Sequence, residues 1–318
     1  MFLPSGFPYL ICFMRVLIVG CGYVGLPLGK VLARQGHEVF GLRRSALAAA
    51  ELKAAGIVPL HADITQPATL AQLPRNFDWV VNCTASGGGG AADYRKIYLE
   101  GNSNLLAWLA EAPPQKFVYT SSTSVYAQND GSIVTEQSVT APDAETSKVL
   151  VETEKLLLAA ANGSRRESLG QKFPAVILRV AGIYGPGRGH SFKSFLRGDA
   201  RIEGDGTRWL NMIHRDDLIG VIIAALENAQ AGEIFNAADN APVTQRNFFE
   251  WLAAELKRPM PPTVPADPET GHRRGVTNKR VSNTKLRAEL KYEFQFPDFR
   301  AGYAAEIARL KQDGGLDF

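Results

Sequence analysis

Three glycines near the start of the chain have the spacing of a phosphate-binding turn. Gly20, Gly22 and Gly25 follow an apolar run at residues 16–19 and precede a helical pattern. In such a strand–turn–helix, the first glycine permits a tight turn, the second lets a pyrophosphate approach the backbone, and the third lets helix and strand pack closely. Free N–H groups at the helix start then point at phosphate. We predict a dinucleotide site formed by Gly20, Gly22, Tyr23, Val24 and Gly25; the alternative is a glycine turn without a ligand.

Two arginines follow the next apolar run, at residues 37–42, where a strand of this fold ends beside the adenosine ribose. An Asp or Glu at this place would accept hydrogen bonds from the ribose 2′-hydroxyl of NAD. This chain has Arg43 and Arg44 instead. A guanidinium is permanently charged and can bind phosphate oxygens in a fork, so the pair favours NADP as cofactor, with NAD as the alternative. Both arginines could also be solvated charges at a helix start.

The elements that must position these residues alternate along the chain. Apolar runs predict strands at 15–20, 37–42, 57–60, 77–83, 115–121 and 174–180. Helical spacing predicts helices at 23–35, 45–55, 66–72, 92–111 and 145–161. This alternation predicts an α/β fold with a Rossmann-type doubly wound parallel sheet. Helical spacing beyond residue 181 indicates a second, smaller unit, and an apolar run at 233–236 predicts a strand that returns to the large sheet.

Composition is that of an ordinary globular protein. The 318 residues are 45% hydrophobic and 21% charged, and 35 basic against 32 acidic residues leave a net charge of +3. The basic pairs are scattered among acids, which argues against a nucleic-acid partner. The three cysteines have no metal-ligand spacing, so we expect no metal and reduced thiols in a cytoplasmic protein. Residues 1–14 are apolar but too short to span a membrane, and we predict an N-terminal extension.

Three further segments carry a resemblance to a known family. They read Val-Tyr-Thr-Ser-Ser-Thr-Ser-Val-Tyr at 118–126, Leu-Arg-Val-Ala-Gly-Ile-Tyr-Gly-Pro-Gly at 178–187 and Asn-Met-Ile-His-Arg-Asp-Asp-Leu at 211–218. In order and spacing they resemble extended short-chain dehydrogenase/reductases, the NAD-dependent epimerase/dehydratase family. The resemblance implies an NAD(P)-binding Rossmann domain at 15–180 and a smaller C-terminal substrate domain, formed mainly by residues 181–318 with some segments returning to the core. It also implies a small-molecule substrate, a nucleotide sugar or a related hydroxy or keto compound. Dimers formed through helices such as 92–111 and 145–161 are common in that family, so a homodimer is a further expectation.

The resemblance also implies roles for single residues. Asp63 would lie near the adenine, and Ala85 and Ser86 along the cofactor. Ser122 matches the family's catalytic Ser/Thr, and Lys148 matches its catalytic lysine, which also binds the cofactor.

One position departs from the family pattern. The family's general acid/base is a tyrosine four residues before the lysine, where this chain has Ala144. An alanine cannot move a proton, so the resemblance is to an atypical member and the usual proton transfer is in doubt. Tyr98 is a candidate replacement; the alternative is that Tyr98 is a core aromatic residue.

Other residues suggest substrate contacts or a structural role. Arg188 and His190 could meet a substrate anion, and Arg201, Arg208 or Arg273 could bind a diphosphate or carboxylate. For each of these the alternative is a surface charge. His214, at the start of a helical pattern, is expected to have a structural role.

Three functions remain open from the sequence. The first is an NADP-linked oxidoreductase, epimerase or dehydratase, and the second is a non-catalytic or regulatory dinucleotide-binding protein. The third follows from residues 22–28, which are similar to nucleotide-sugar 6-dehydrogenases and 6-phosphogluconate dehydrogenase-like folds. Those 6-dehydrogenases use a catalytic cysteine deep in a longer chain, whereas all three cysteines here precede residue 84.

Overall fold

Seven parallel strands form the central sheet of the computed structural model, which describes residues 13–163, 172–265 and 277–314. The strands, in chain order, are β1 (Arg15–Val19), β2 (Glu38–Arg43), β3 (Val58–His61), β4 (Trp79–Asn82), β5 (Lys116–Ser122), β6 (Ile133–Val134), β7 (Ala175–Val180), β8 (Gly182–Tyr184), β9 (Ile202–Glu203), β10 (Trp209–Leu210), β11 (Met212–His214), β12 (Ile234–Ala237), β13 (Val243–Thr244), β14 (Thr263–Val264) and β15 (Arg280–Val281). The order in the central sheet is β3-β2-β1-β4-β5-β7-β12. The strand order therefore reverses between β1 and β4, where ligands bind in open sheets of this kind.

Helices cover both faces of this sheet. They are α1 (Gly25–Arg34), α2 (Ala49–Ala54), α3 (Pro67–Leu70), α4 (Ala91–Tyr94), α5 (Gly101–Leu109), α6 (Glu145–Ala161), α7 (His190–Arg197), α8 (Arg215–Asn228), α9 (Gln245–Leu256), α10 (Thr284–Leu290) and α11 (Phe299–Gln312). Val16 and Ile18 of β1 pack in one core with α1, α8 and α10, whereas Leu17 and Val19 pack in another with α3, α5 and α6. Because successive strand side chains point to opposite faces, the continuous apolar run is explained by burial on both sides. The predicted doubly wound parallel sheet is confirmed.

The predicted strands of the sheet are all present, and their ends differ from the prediction by no more than about two residues. The strand expected at 233–236 is β12, which pairs in parallel with β7. The helix expected at 92–111 is not a uniform α-helix, because residues Arg95–Glu100 between α4 and α5 form a π-helical stretch. Hydrophobic spacing does not report such a wide turn, which is why the sequence did not show it.

The carboxyl-terminal half has an aromatic core of its own. Tyr184, Phe192, Phe248 and Tyr303 pack between β8, α7, α9 and α11. Asp217 of α8 accepts hydrogen bonds from the Tyr292 hydroxyl and from the N–H groups of Gln295 and Phe296, which ties the segment before α11 to α8. This core fits a separate substrate subdomain, whose boundary at residue 181 stays a prediction.

A buried ion pair joins α6 to the sheet beneath the site described below. Glu154 of α6 and Arg179 of β7 meet with a closest distance of 2.7 Å, and their side chains are 4% and 5% exposed. The Ser121 hydroxyl donates to Glu154 at 2.6 Å, and Arg179 donates to the Tyr126 hydroxyl at 2.8 Å. The pair therefore holds both ends of the segment that contains Ser122.

Two expectations fall outside the described residues, namely those for most of the N-terminal extension at 1–14 and for Arg273. Cys21 and Cys83 are free thiols. Within residues 13–163, 172–265 and 277–314 there is no group of His, Cys, Asp and Glu side chains that could hold a metal ion. No helix in those ranges has both the length and the apolar character required to cross a bilayer.

Candidate functional site

A cleft of about 630 Å³ opens at the carboxyl ends of the parallel strands. It is bounded by the glycine turn after β1, the loop after β2 and the segments after β3, β4 and β5. The predicted cofactor residues that line it are Gly20, Gly22, Tyr23, Val24, Arg43, Arg44, Asp63 and Ala85. Ser122 and Tyr98 line it as well, whereas Gly25, Ser86 and Lys148 do not. The structure thus brings together most of the residues that the sequence singled out.

The glycine turn has the geometry that a pyrophosphate requires. Gly20 has a φ of +89°, and a Cβ there would lie 2.8 Å from the Thr84 nitrogen. A Cβ on Gly25 would lie 2.4 Å from the Gly20 oxygen, so this position is restricted by packing. At Gly22 a Cβ would meet nothing within 4 Å, which leaves open space above the backbone. Among the described residues no side chain caps the start of α1, so the N–H groups there that lack a backbone acceptor are available to an anion; Leu26, whose N–H donates to the Gly22 oxygen at 3.0 Å, is not one of them.

The two arginines after β2 differ in their surroundings. Arg43 donates to Glu51 of α2 at 2.9 Å and is held in an exposed ion pair. Arg44 also lines the cleft, and among the described residues its guanidinium has no ion-pair partner. The His61 Nε2 lies 2.8 Å from the Arg44 carbonyl oxygen, which fixes the Arg44 backbone. Arg44 is therefore the freer of the two charges for a phosphate.

Hydrogen bonds within the loops fix the polar groups of the cleft. The Asp63 Oδ1 accepts from the N–H and the hydroxyl of Thr65 at 2.9 and 2.8 Å. At the end of β4, the Asn82 Oδ1 accepts from the N–H and the hydroxyl of Thr84 at 3.1 and 2.8 Å. Asn82 in turn donates to Asn102 at 3.0 Å, and both amides are buried. The sequence analysis missed this asparagine pair, since no local spacing joins a strand end to a distant helix.

Tyr98 lies in the π-helical stretch, and its hydroxyl reaches the cleft. Its oxygen accepts the Ser86 N–H at 3.0 Å, and its ring packs against Tyr94 at 4.9 Å between centroids. Burial is the main cause that raises the pKa of the Tyr98 phenol. A phenol with a raised pKa is less suited to exchange a proton near neutral pH. Its role as acid or base stays a prediction.

Ser122 and Lys148 are placed differently with respect to the cleft. The Ser122 Oγ accepts the Ser124 N–H at 3.1 Å and caps a short 3₁₀ turn, Thr123–Val125. Lys148 lies on the first turn of α6, is half exposed, and donates to Glu145 at 2.7 Å. This hydrogen bond is the main cause that raises the pKa of Lys148. The predicted catalytic role of Lys148 requires that its side chain leave Glu145.

Ala144 lies immediately before α6, and its carbonyl oxygen accepts the Lys148 N–H at 3.0 Å. Positions 144 and 148 are thus one helical turn apart, as the sequence comparison with the family assumed. The methyl side chain of Ala144 offers no proton to the cleft.

A second cavity of about 650 Å³ continues from the first. The two share Ser122, Ser124, Arg188 and the segment 180–183. Cationic side chains that line the second cavity are Arg188, Lys193, Arg208 and Lys279. No carboxylate of the described residues lines it. The two cavities therefore adjoin along this shared wall.

The sequence predicted part of this second cavity. Arg188, His190 and Arg208 line it, as the analysis considered. Arg201 does not, because its guanidinium donates to the carbonyl oxygen of Ala200 at 2.7 Å. Lys193 and Lys279 were missed, and no motif marks either of them.

His214 lies in the wall between the two halves of the chain. Its Nδ1 accepts the Asp216 N–H at 3.2 Å at the start of α8, and its ring packs against Tyr184 and Phe296. Burial is the main cause that lowers its pKa. These contacts agree with the structural role expected for it.

Comparison with known proteins assigns the chain to a family. Residues 16–238 match the NAD dependent epimerase/dehydratase family, and the chain belongs to it. Protein YeeZ of Escherichia coli (strain K12) is 28% identical over 289 residues, covering 89% of this chain and 97% of that protein. The dTDP-6-deoxy-L-talose 4-dehydrogenase (NAD(P)(+)) of Kitasatospora kifunensis is 28% identical, covering 81% and 84%. A solved structure of a putative NAD-dependent epimerase/dehydratase from Methylobacillus flagellatus is 31% identical with a TM-score of 0.73, covering 94% and 99%.

Family membership confirms the resemblance drawn from the sequence. It favours that resemblance over the similarity of residues 22–28 to 6-dehydrogenases, and the relatives do not favour a non-catalytic dinucleotide-binding protein. A nicotinamide dinucleotide is the cofactor class of this family. The open space above Gly22 and the uncapped start of α1 fit that group.

Proposed function

We propose that this protein is an NADP-linked oxidoreductase, epimerase or dehydratase that acts on an anionic substrate, a nucleotide sugar or a related hydroxy or keto compound. The observation that carries the proposal is the continuity of the two cavities through Ser122 and Ser124. One cavity has the glycine turn, and the other has four cationic side chains and, within the described part of the chain, no carboxylate in its lining. The homodimer and the cytoplasmic location expected from the sequence remain predictions.

Each part of the first cavity would hold one part of the cofactor. The N–H groups at the start of α1 would bind the pyrophosphate, Asp63 would meet the adenine, and Ser122 would orient the substrate oxygen at the inner end. When bound, the nicotinamide supplies the exchange of a hydrogen and its electron pair with substrate carbon. The protein then has to move one proton at the substrate oxygen.

The second cavity would hold the anionic part of the substrate. The Arg208 Nε is buried and has no hydrogen-bond acceptor among the described residues. Burial lowers the pKa of this guanidinium. A buried donor without a partner is costly, and a phosphate or carboxylate of the substrate would satisfy it. The Kitasatospora relative, by its name, acts on a dTDP-linked sugar, which carries two phosphates.

The preference for NADP rests on Arg44, with Arg43 beside it. We expect that the double variant Arg43→Ala/Arg44→Ala binds NADPH about 10- to 100-fold more weakly than wild type, because a charge-assisted hydrogen bond contributes about 1.5–3 kcal/mol. NADH, which lacks the 2′-phosphate, should change by less than about threefold. Calorimetric titration with NADPH, NADP, NADH and NAD measures this.

Arg34→Ala is the control for loss of one positive charge outside the site, since Arg34 is exposed on the last turn of α1 and lines neither cavity. An unchanged NADPH preference in the double variant would show that the arginines do not bind the ribose 2′-phosphate.

Turnover is tested separately, by following nicotinamide absorbance with a panel of nucleotide sugars and their keto forms. No turnover across the panel would reject the proposed activity.

A further inference from the structure

Lys279 is a buried lysine in the wall of the second cavity. It lies just before β15 and is 3% exposed. Its carbonyl oxygen accepts a hydrogen bond from the Asn211 Nδ2 at 2.9 Å. Two residues later, the Val281 N–H donates to the Asn211 Oδ1 at 2.7 Å. The pairing of β15 with β6 fixes the same segment from the other side. The backbone that carries this lysine is therefore held on both sides.

The ammonium group of Lys279 has fewer partners than it has protons. It donates to the Tyr126 carbonyl oxygen at 3.3 Å and to the Thr277 hydroxyl. An ammonium has three N–H donors, so one is left for a group in the cavity. Among the described residues no carboxylate forms an ion pair with it. Burial of an unpaired charge is costly, and such groups cluster at functional sites.

The Tyr126 contact connects Lys279 to Ser122. Tyr126 ends the 3₁₀ turn that Ser122 caps, and its own N–H donates to Thr123 in that turn at 3.3 Å. Ser122 and Lys279 both line the second cavity, and the short turn 123–126 connects them through the Tyr126 carbonyl oxygen. The wall of the second cavity therefore contains an amine as well as the Ser122 hydroxyl, which also borders the first cavity.

We propose that Lys279 is the proton-transfer group of this active site and serves the substrate oxygen that the tyrosine at position 144 would serve in typical family members. The inference rests on the proposed function. In the oxidising direction, the neutral Lys279 amine accepts the proton of the substrate O–H. The C–H hydrogen leaves with its electron pair to the oxidised dinucleotide, and the C–O bond becomes a carbonyl. In the reducing direction, the ammonium returns the proton to the substrate oxygen.

The charge state of Lys279 suits this role. Burial lowers the pKa of Lys279 from its ordinary value of 10.5 to about 8, so both protonation states are accessible near neutral pH. The titratable and charged groups facing the same cavity are Arg188 and His190 before and at the start of α7, Lys193 on α7, Arg208 before β10, Tyr184 on β8 and Tyr303 on α11. None of these is a carboxylate that would hold the lysine protonated.

The other candidates for proton transfer are less well placed. Lys148 donates to Glu145 and lines neither cavity. The Tyr98 hydroxyl accepts from a backbone N–H, and burial raises its pKa. His190 lines the second cavity, but it is exposed. Lys279 alone among these is buried, borders the cavity and has a lowered pKa.

The test compares Lys279→Met and Lys279→Arg with wild type, using the substrate found in the nucleotide-sugar panel. Since general acid–base catalysis contributes about 10²–10⁴-fold, both variants should lose at least about 100-fold in kcat. Arginine keeps the charge but does not lose its proton, so it separates proton transfer from simple attraction of an anion. In wild type, the oxidising kcat/KM should rise with pH through about 8, and this limb should vanish in Lys279→Arg.

Stability gives a readout that does not depend on turnover. The folded-state pKa of about 8 lies below the unfolded value of about 10.4, so wild-type stability should rise with pH between these values. The melting temperature of Lys279→Met relative to wild type should therefore be highest below pH 8 and fall toward pH 10. Lys285→Met is the control, because Lys285 pairs with Glu233 and Glu289 and lines neither cavity. That control should keep wild-type kcat, and NADPH titration checks that all variants retain the cofactor site.

The outcomes are distinct. If wild type turns over a substrate and Lys279→Arg keeps kcat within about threefold, Lys279 supplies charge only and the proposal is overturned while the proposed function stands. Loss of turnover in Tyr98→Phe but not in Lys279→Met would assign the proton to Tyr98 and also overturn it. Equal pH dependence of melting in wild type and Lys279→Met would contradict the titration on which it depends. If wild type turns over nothing on the panel, the proposed function fails and the assignment fails with it.

Discussion

Replacing Glu154 with glutamine is expected to lower the free energy of unfolding by about 3–5 kcal/mol, because it leaves the Arg179 guanidinium buried without a counter-charge. In wild type Arg179 donates from both Nε and Nη2 to Glu154, at distances between 2.7 and 3.2 Å. Both side chains are almost fully buried. The amide of glutamine has nearly the same shape but cannot neutralise the cation. Urea unfolding followed by circular dichroism measures the loss.

The same helix provides the matched control. Glu152, two residues earlier on α6, forms two hydrogen bonds with Arg95 at 2.8 and 2.9 Å, so the geometry of the two pairs is similar. The Arg95 and Glu152 side chains are 47% and 45% exposed. An exposed ion pair contributes about 0–1 kcal/mol, so Glu152→Gln should change stability by less than 1 kcal/mol. Equal losses in the two variants would mean that burial does not decide the strength of the pair.

The buried pair also has a consequence for the site. Glu154 accepts from Ser121, the residue before Ser122, and Arg179 donates to the Tyr126 hydroxyl four residues beyond Ser122. The Tyr126 hydroxyl then donates to Asn236 on β12 at 2.8 Å. These contacts anchor the turn that presents Ser122 to both cavities. A functional turn is thus supported by a charge pair that never touches the ligand, which is how rigid sites are commonly built.

The sheet and the glycine turn could be predicted because their signals are local. Apolar runs between turn residues define strands, and in β1 the burial of alternate side chains on opposite faces follows from the run itself. The glycine spacing reports a backbone conformation, and Gly20 indeed has a positive φ. The position of the Lys148 ammonium group was harder to predict, because a spacing of four residues fixes where a side chain leaves the helix but not the direction that it takes. In the structure Glu145, three residues away, binds it.

The second cavity could not be read from the sequence for a different reason. Its lining combines residues from β5, β8, α7 and the segment before β15, which are far apart in the chain. Lys279 has no neighbouring motif, and its proposed role depends on its burial and on the cavity wall, in which the described residues include no carboxylate. The Asn82–Asn102 pair likewise depends on a contact across 20 residues. Long-range placement of single polar side chains is set by the whole fold, not by any local pattern.

A second large effect is expected for Gly22→Ala, which should bind NADPH roughly 100-fold more weakly without losing stability. Apart from its two chain neighbours, no described residue has an atom within 4 Å of a Cβ at Gly22, so the folded chain accepts it. Replacing a glycine whose backbone conformation alanine can adopt even stabilises a fold by about 0.4–1 kcal/mol, because the unfolded chain has less freedom. The same methyl group would occupy the space where the pyrophosphate approaches the backbone. Calorimetric titration and thermal melting measure the two quantities on one sample.

Two further glycine variants are controls for the interpretation of Gly22→Ala. Gly87 is also free of contacts within 4 Å but does not line the cleft, so Gly87→Ala should keep both stability and NADPH affinity. Gly25→Ala should instead lower the melting temperature, because its Cβ would lie 2.4 Å from the Gly20 oxygen and the start of α1 would have to move. If Gly22→Ala bound NADPH as tightly as wild type, the pyrophosphate could not lie over this turn. The assignment of the cleft to the cofactor would then be wrong, whatever the family implies. The contacts proposed for Arg44 and Asp63 both assume that the pyrophosphate lies over this turn.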